Sequence, residues 1–400
     1  MDAHSGAPSS SHDRSQKGAG ADRSGRAAAR QIHSHTGIRG IAALLVVAYH
    51  LQLGPFYKLP FETATALFRR SYLMVDLFFV LSGFIISYVY AADRSSRLPK
   101  SETTTFLITR FARIYPLHLL SLVYLTLFTI GSTAVLAATG RDYVPLVPRA
   151  FADWLTQLLL LNAWFPHHFE WNIPSWSISA EAFAYLLFPL LVAAHVRSSR
   201  LTQAALLAAS VAFYSYVAMT SRSLDIVVGL APARCLAGFA LGMLIYFHRS
   251  SMQKASDPLL SVIQLAGVTW ALLALAFRVN DPLVIPAFAL VVLSTWPDRG
   301  VIASLLSLRA PRWLGDISYS VYLLHVPLGA TLWFFWSHAE PRLGLAPAVS
   351  RAIWLAMVFS VVLSVSTLTY SRIELPARRA MLRWWRGRKP PAADVAIAAP

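Results

Sequence analysis

GIRGIAALLVVAYHLQL, residues 37–53, is an apolar run with an arginine, Arg39, near its start and a histidine, His50, near its end. Eleven residues separate the two. On an α-helix that is about three turns, so Arg39 and His50 stand about 16 Å apart along the axis and within about 20° of the same face. An ionisable group on a lipid-facing helix costs at least about 2.5 kcal/mol. Two on one stripe predict that this face looks into a polar interior, and the rest of the chain is read outward from it.

The surrounding composition identifies the solvent. Of 400 residues, 56% are hydrophobic and 14% charged, against about 25% charged in a soluble domain. The chain reads as an integral membrane protein. Its net charge of +16 comes from short basic clusters between apolar runs, the pattern that sets membrane topology rather than a nucleic-acid footprint. A single cysteine, Cys235, excludes an intramolecular disulfide. Residues 1–35 are rich in Ser, Gly, Ala, His and Arg, contain no apolar run, and are expected to form a disordered cytosolic tail. The spacing of His4, His12, His33 and His35 fits no metal-ligand pattern, so no metal site is expected.

Apolar segments at or near spanning length recur at 72–92, 114–138, 177–196, 201–219, 224–247, 258–277, 282–296, 317–336 and 353–370. With the opening run they predict about ten transmembrane helices around a polar central cleft. The shortest is 282–296. Residues 152–164 are shorter still, contain Gln157 and Asn162, and read as re-entrant or interfacial. Ten spans with both termini cytosolic put 25 of the 35 Lys and Arg inside and nine outside, with Arg234 within a span, as the positive-inside rule requires. The predicted organisation is therefore a tail (1–35), an all-α membrane domain (36–372), and a basic interfacial segment with a disordered end (373–400), in the cell's inner or plasma membrane.

Depth gives the polar residues meaning. Arg39, Arg110 and Arg113 fall at cytosolic helix ends, and the last two, three residues apart, share a face. Planar guanidinium groups suit phosphate oxygens, so a cytosolic nucleotide-bearing donor fits them; anchoring of helix ends at the headgroups fits equally. His50, Asp76 and Glu181 lie toward the other side on three helices. Such groups are tolerated where they meet in a protected cavity, and an imidazole held by a carboxylate is a ready base for a hydroxyl.

Six segments carry a resemblance. They are Arg39 with His50, VDLFFVLSGF (75–84), RFARIYP (110–116), PSWSISAE (174–181), SYSVYLLH (318–325) and YSRIELP (370–376). In this order, from 37 to 376, they resemble the membrane-bound acyltransferase-3 family. Two positions depart from the pattern: Ala180 before the glutamate, and Asp316 before the SYSVY run.

The resemblance implies transfer of an acyl group, usually acetyl from acetyl-CoA, to a hydroxyl of a sugar or other acceptor. The acyl-CoA is a donor substrate and no cofactor is permanently bound. Carried over by position, His50 is the catalytic histidine, Arg39 its motif partner, Arg110 and Arg113 the pair near the CoA phosphates, and Glu181 the acidic residue of its motif. Asp76 joins the catalytic set; Tyr115 and Ser82 join the donor side. Ser82, beside Gly83, either offers a group to the oxyanion or lets helices approach. Arg234, His325, Trp176 and Ser177 are candidates for the acceptor side. His50 takes the acceptor proton or is itself acylated. Many relatives carry a further esterase-like domain, which a chain ending 24 residues after Pro376 is expected to lack. The expected partners are acyl-CoA, a carbohydrate or other hydroxyl acceptor and membrane lipid, with no nucleic acid. The alternative is a secondary transporter or flippase, in which buried carboxylates relay protons or bind substrate; it has no use for a phosphate dock.

Overall fold

The computed structural model describes residues 30–53, 65–91, 98–140, 151–165 and 171–387. Most of the expected tails, 1–29 and 388–400, lie outside the described residues. Every regular element described is helical. In order these are α1 (His33–His50), a 3₁₀ turn leading into α2 (Met74–Tyr90), α3 (Lys100–Ala138), α4 (Phe151–Leu158), α5 (Ser175–Arg197) and α6 (Ser199–Met219). Then follow α7 (Ala231–Phe247), α8 (Ser250–Gln253), α9 (Asp257–Ala276), α10 (Ile285–Thr295), α11 (Val301–Leu306), α12 (Arg309–Asp316), α13 (Ser318–Leu343), α14 (Pro347–Thr369) and α15 (Leu375–Gly387).

Each of the ten apolar segments read from the sequence contains a helix, but among the described residues only six helices are long and apolar enough to cross a membrane. A seventh is added if α12 and α13, bent by 64°, form one span. The shortfall has physical causes. The α7 helix has 17 residues and α10 has 11, so neither alone matches about 30 Å of hydrocarbon. The α1 helix holds Ser34, His35, Thr36, Arg39 and His50. Leu127, Ile130, Leu186, Leu190, Val262 and Leu368 are exposed on long helices, whereas Asp76, His118, Gln157, Arg234 and Gln264 are buried. This inside-out distribution suits a lipid surround.

Two close helix pairs frame the interior. In α2 and α7, a Cβ at Gly83 would collide with the Phe239 carbonyl, and one at Gly242 with the Val80 carbonyl. Where α1 meets α12, a Cβ at Gly315 would collide with the Thr36 carbonyl. Small residues thus let backbones touch, and Gly83 serves the packing role anticipated for its segment.

The α1 helix begins at His33, inside the expected tail. Asp298, in the loop after α10, accepts hydrogen bonds from the amides of His33 (3.1 Å) and Ser34 (2.8 Å). Ser34 Oγ donates to the Thr295 carbonyl at 2.8 Å, and His35 Nε2 to the Val292 carbonyl at 3.0 Å. The cap comes from more than 260 residues away, so no local signal marks the start.

The polar residues in 152–164 hold a short helix and its turns against α3 and α5. At eight residues, α4 spans about 12 Å and cannot cross. Gln157 Oε1 accepts from the Asn172 amide at 3.2 Å, its carbonyl accepts from His118 Nε2 at 2.7 Å, and Asn162 Nδ2 donates to Ser175 Oγ at 2.9 Å. Ser179 Oγ donates to the Leu160 carbonyl at 2.6 Å. These bonds satisfy a non-helical backbone that hydrocarbon would leave unpaired, and they set the start of α5, hence Glu181.

Candidate active site

Two groups of side chains occupy the interior, one at each end of α1. At its C-terminal end His50 meets His325 of α13, ring centroids 4.7 Å apart and edge to face. His50 Nδ1 lies 3.0 Å from the Val46 carbonyl and His325 Nδ1 3.2 Å from the Val321 carbonyl. A carbonyl only accepts, so each Nδ1 carries a proton, and in the neutral ring each Nε2 carries the lone pair. His325 Nε2 is buried and has no hydrogen-bond partner among the described residues. The His50 ring is half-buried. Both imidazoles are thus presented as bases.

Toward the N-terminal end the side chains are arginines and carboxylates. Arg39 is half-buried and makes no hydrogen bond or ion pair among the described residues, while Arg113, Glu181, Glu374 and Tyr185 lie within electrostatic reach. Arg110 stands 5.6 Å over the Tyr90 ring, and among the described residues its buried Nε has no hydrogen-bond partner. Ser82 Oγ donates to Glu181 Oε1 at 2.5 Å, and Tyr185 lies beside both. Arg113, buried, is ion-paired with Glu374. Ser320 Oγ donates to the other oxygen of Glu374 at 2.8 Å, and the Arg113 guanidinium lies 5.4 Å over the Tyr319 ring. Glu374 is presented by a π-helical turn, Tyr370–Glu374, of the kind often found at functional sites.

Several expected groupings do not occur. His50, Asp76 and Glu181 do not converge. Glu181 sits with Ser82 and the arginines, and no carboxylate among the described residues bears on His50. Asp76 is fully buried and paired with Arg234: Arg234 Nε reaches Asp76 Oδ1 at 3.0 Å and Nη2 reaches Oδ2 at 2.6 Å. Arg234 also donates to the carbonyls of Ile226 and Tyr72 and lies 5.0 Å over the Trp176 ring. With four of its five N–H donors occupied and no exposure, Arg234 forms with Asp76 an internal tie rather than a lining, and Trp176 belongs to it. Ser177 Oγ and Tyr322 Oη are hydrogen-bonded at 2.7 Å. Tyr115 points away from the arginines, its hydroxyl donating to the Leu158 carbonyl at 3.2 Å. Glu374, Ser320, Tyr319 and Tyr185 were given no role from sequence. The first three lie inside segments 318–325 and 370–376, whose order was the available signal.

Comparison with known proteins bears on this arrangement. Residues 32–370 match the family described as the acyltransferase domain, Acyl_transf_3. The chain belongs to this family. Acyltransferase-3 relatives include acyltransferase MdmB of Streptomyces mycarofaciens, 34% identical over 40% of this chain and 39% of its own length. Peptidoglycan O-acetyltransferase OatA of Listeria monocytogenes is 23% identical over 92% of this chain and 59% of its own. The putative peptidoglycan O-acetyltransferase YrhL of Bacillus subtilis is 25% identical over 75% and 49%. The chain therefore spans about half the length of these curated relatives. No solved structure matches it. Membership favours acyl transfer over the transporter alternative.

Proposed function

We propose that this chain is a membrane O-acyltransferase that moves an acyl group, acetyl in the simplest case, from acyl-CoA to a hydroxyl of a sugar or other acceptor. In this reading about ten helices cross a cell's inner or plasma membrane with both termini cytosolic, and the donor enters at the N-terminal end of α1. The observation that carries the reading is that one helix bears, among the described residues, an arginine without an ion pair at one end and a histidine whose Nε2 makes no hydrogen bond at the other. Phosphates dock on Arg39 and Arg110, and the pantetheine arm runs along the cleft beside Ser82 and Glu181 to bring the thioester toward His50. A distance of about 16 Å along α1 suits such an arm.

His50 Nε2 takes the proton of the acceptor hydroxyl as the oxygen bonds to the thioester carbonyl carbon. The tetrahedral oxyanion then collapses, the carbon–sulfur bond breaks, and the proton on His50 passes to the leaving thiolate to give free CoA. The Nδ1 bond to Val46 keeps the reactive lone pair on Nε2. His325 packs edge to face against the ring and leaves its own Nε2 available to the acceptor. The relatives named for peptidoglycan O-acetylation support a glycan hydroxyl as the acceptor. Release of CoA thiol from acetyl-CoA by protein in lipid bilayers, with peptidoglycan fragments as acceptors, tests this. Acceptor-dependent release by wild type that is lost in Arg110→Ala at low acetyl-CoA and recovers at high acetyl-CoA supports it. Acceptor modification without acetyl-CoA consumption overturns it.

A further inference from the structure

The arginines at the N-terminal end of α1 are joined by one that sequence had assigned to the membrane surface. Arg378, on α15, is buried with 6% of its surface exposed. Among the described residues it makes no hydrogen bond or ion pair, yet its charge lies within reach of Arg113, Arg110 and Glu374. The α15 helix packs along α3, which carries Arg110 and Arg113. The π-helical turn sets this up, because it ends at Glu374, four residues before Arg378.

The charges do not balance. Among the described residues Arg39, Arg110 and Arg378 each lack an ion pair, and Arg113 already holds Glu374. The remaining carboxylates in reach are Glu181 and Asp316. Four arginines, Arg39, Arg110, Arg113 and Arg378, thus face three carboxylates, Glu374, Glu181 and Asp316, and a surplus buried positive charge is unfavourable, which favours an added anion. Guanidinium groups on three helices suit an anion with several phosphate oxygens.

We infer that Arg378 is a donor-binding residue which, with Arg39 and Arg110, holds the phosphates at the nucleotide end of acyl-CoA, while Glu374 keeps Arg113 as part of the frame. The inference rests on the acyl-CoA reading above. It assigns the C-terminal helix to the donor site, so α15 is more than an interfacial anchor.

The test is CoA binding to the full chain in nanodiscs of zwitterionic lipid, by calorimetry, for wild type, Arg378→Ala, Arg378→Lys and Arg379→Ala, the last an exposed neighbour. Loss of one charge-assisted phosphate contact predicts about ten- to hundredfold weaker CoA binding by Arg378→Ala. Arg378→Lys should fall between it and wild type, and Arg379→Ala should match wild type. Removing the 3′-phosphate, with dephospho-CoA as probe, should weaken wild type. In a second measurement independent of variants, CoA should protect Arg378 but not Arg379 of the wild-type protein from phenylglyoxal, read by mass spectrometry.

Wild-type binding that Arg378→Ala leaves unchanged, or modification of Arg378 unaffected by CoA, overturns the inference and leaves the acyl-CoA reading standing. A wild type that binds no CoA overturns that reading itself. If phosphatidylglycerol in the bilayer protects Arg378 and CoA does not, the anion is a lipid headgroup and the donor assignment fails.

Discussion

Replacing Asp76 by alanine should unfold the protein before it disables any chemistry. Asp76 and Arg234 are both fully buried, and the carboxylate receives two guanidinium hydrogen bonds, at 2.6 and 3.0 Å. Hydrogen bonds to charged groups contribute about 1.5–3 kcal/mol each. Removing one partner of a buried pair typically costs about 3–5 kcal/mol because the other charge is stranded. Arg234 would keep only the carbonyls of Ile226 and Tyr72 and the face of Trp176. We expect Asp76→Ala to lose about 3–5 kcal/mol, on the order of 10 °C in Tm, read by thermal unfolding in detergent or nanodiscs. The double variant Asp76→Ala, Arg234→Met removes both charges and should recover a large part of that loss. An Asp76→Ala protein with unchanged Tm but no transfer activity would refute the reasoning and return Asp76 to the catalytic set.

Two further outcomes follow from the packing and the capping. Gly242→Ala puts a methyl group into the Val80 carbonyl of α2, and a cost of about 1–3 kcal/mol is expected, visible as a lower Tm. Asp298→Ala removes the cap of α1 and should cost about 1–2 kcal/mol at pH 7. Burial alone would raise the Asp298 carboxyl, but hydrogen bonds from Ser34 and His33 hold it below its ordinary value. A depressed carboxyl stabilises above its unfolded value of about 4 and loses that stabilisation as pH falls through the folded one. The gap between wild type and Asp298→Ala should therefore be constant from pH 7 to about pH 5 and narrow in more acidic solution.

The sequence was most informative where chemistry and period coincide on one element. Arg39 and His50 share a stripe of α1 because eleven residues nearly complete three turns, and both are half-buried in the interior. Gln157 and Asn162 exposed the non-spanning nature of α4 because polar side chains in an apolar run need nearby partners. Pairings between distant segments were not legible. Arg113 meets Glu374 across 261 positions and Arg234 meets Asp76 across 158; each residue alone reads equally well as catalytic or structural. The same limit hid the cap on α1, since Asp298 is an ordinary loop residue until α10 brings it to Ser34. Counting depth along the helix placed Glu181 beside His50, whereas it accepts from the Ser82 hydroxyl and its charge lies with Arg39 and Arg110.

The most direct test of the account separates donor binding from turnover at His50. Acetyl transfer from acetyl-CoA to a glycan acceptor is measured in proteoliposomes for wild type and His50→Ala, with acetyl-CoA affinity determined on the same preparations. The account predicts that His50→Ala binds acetyl-CoA as wild type does and transfers at least about 100-fold more slowly, the scale of a lost general base. A His50→Ala protein that transfers at the wild-type rate would contradict it.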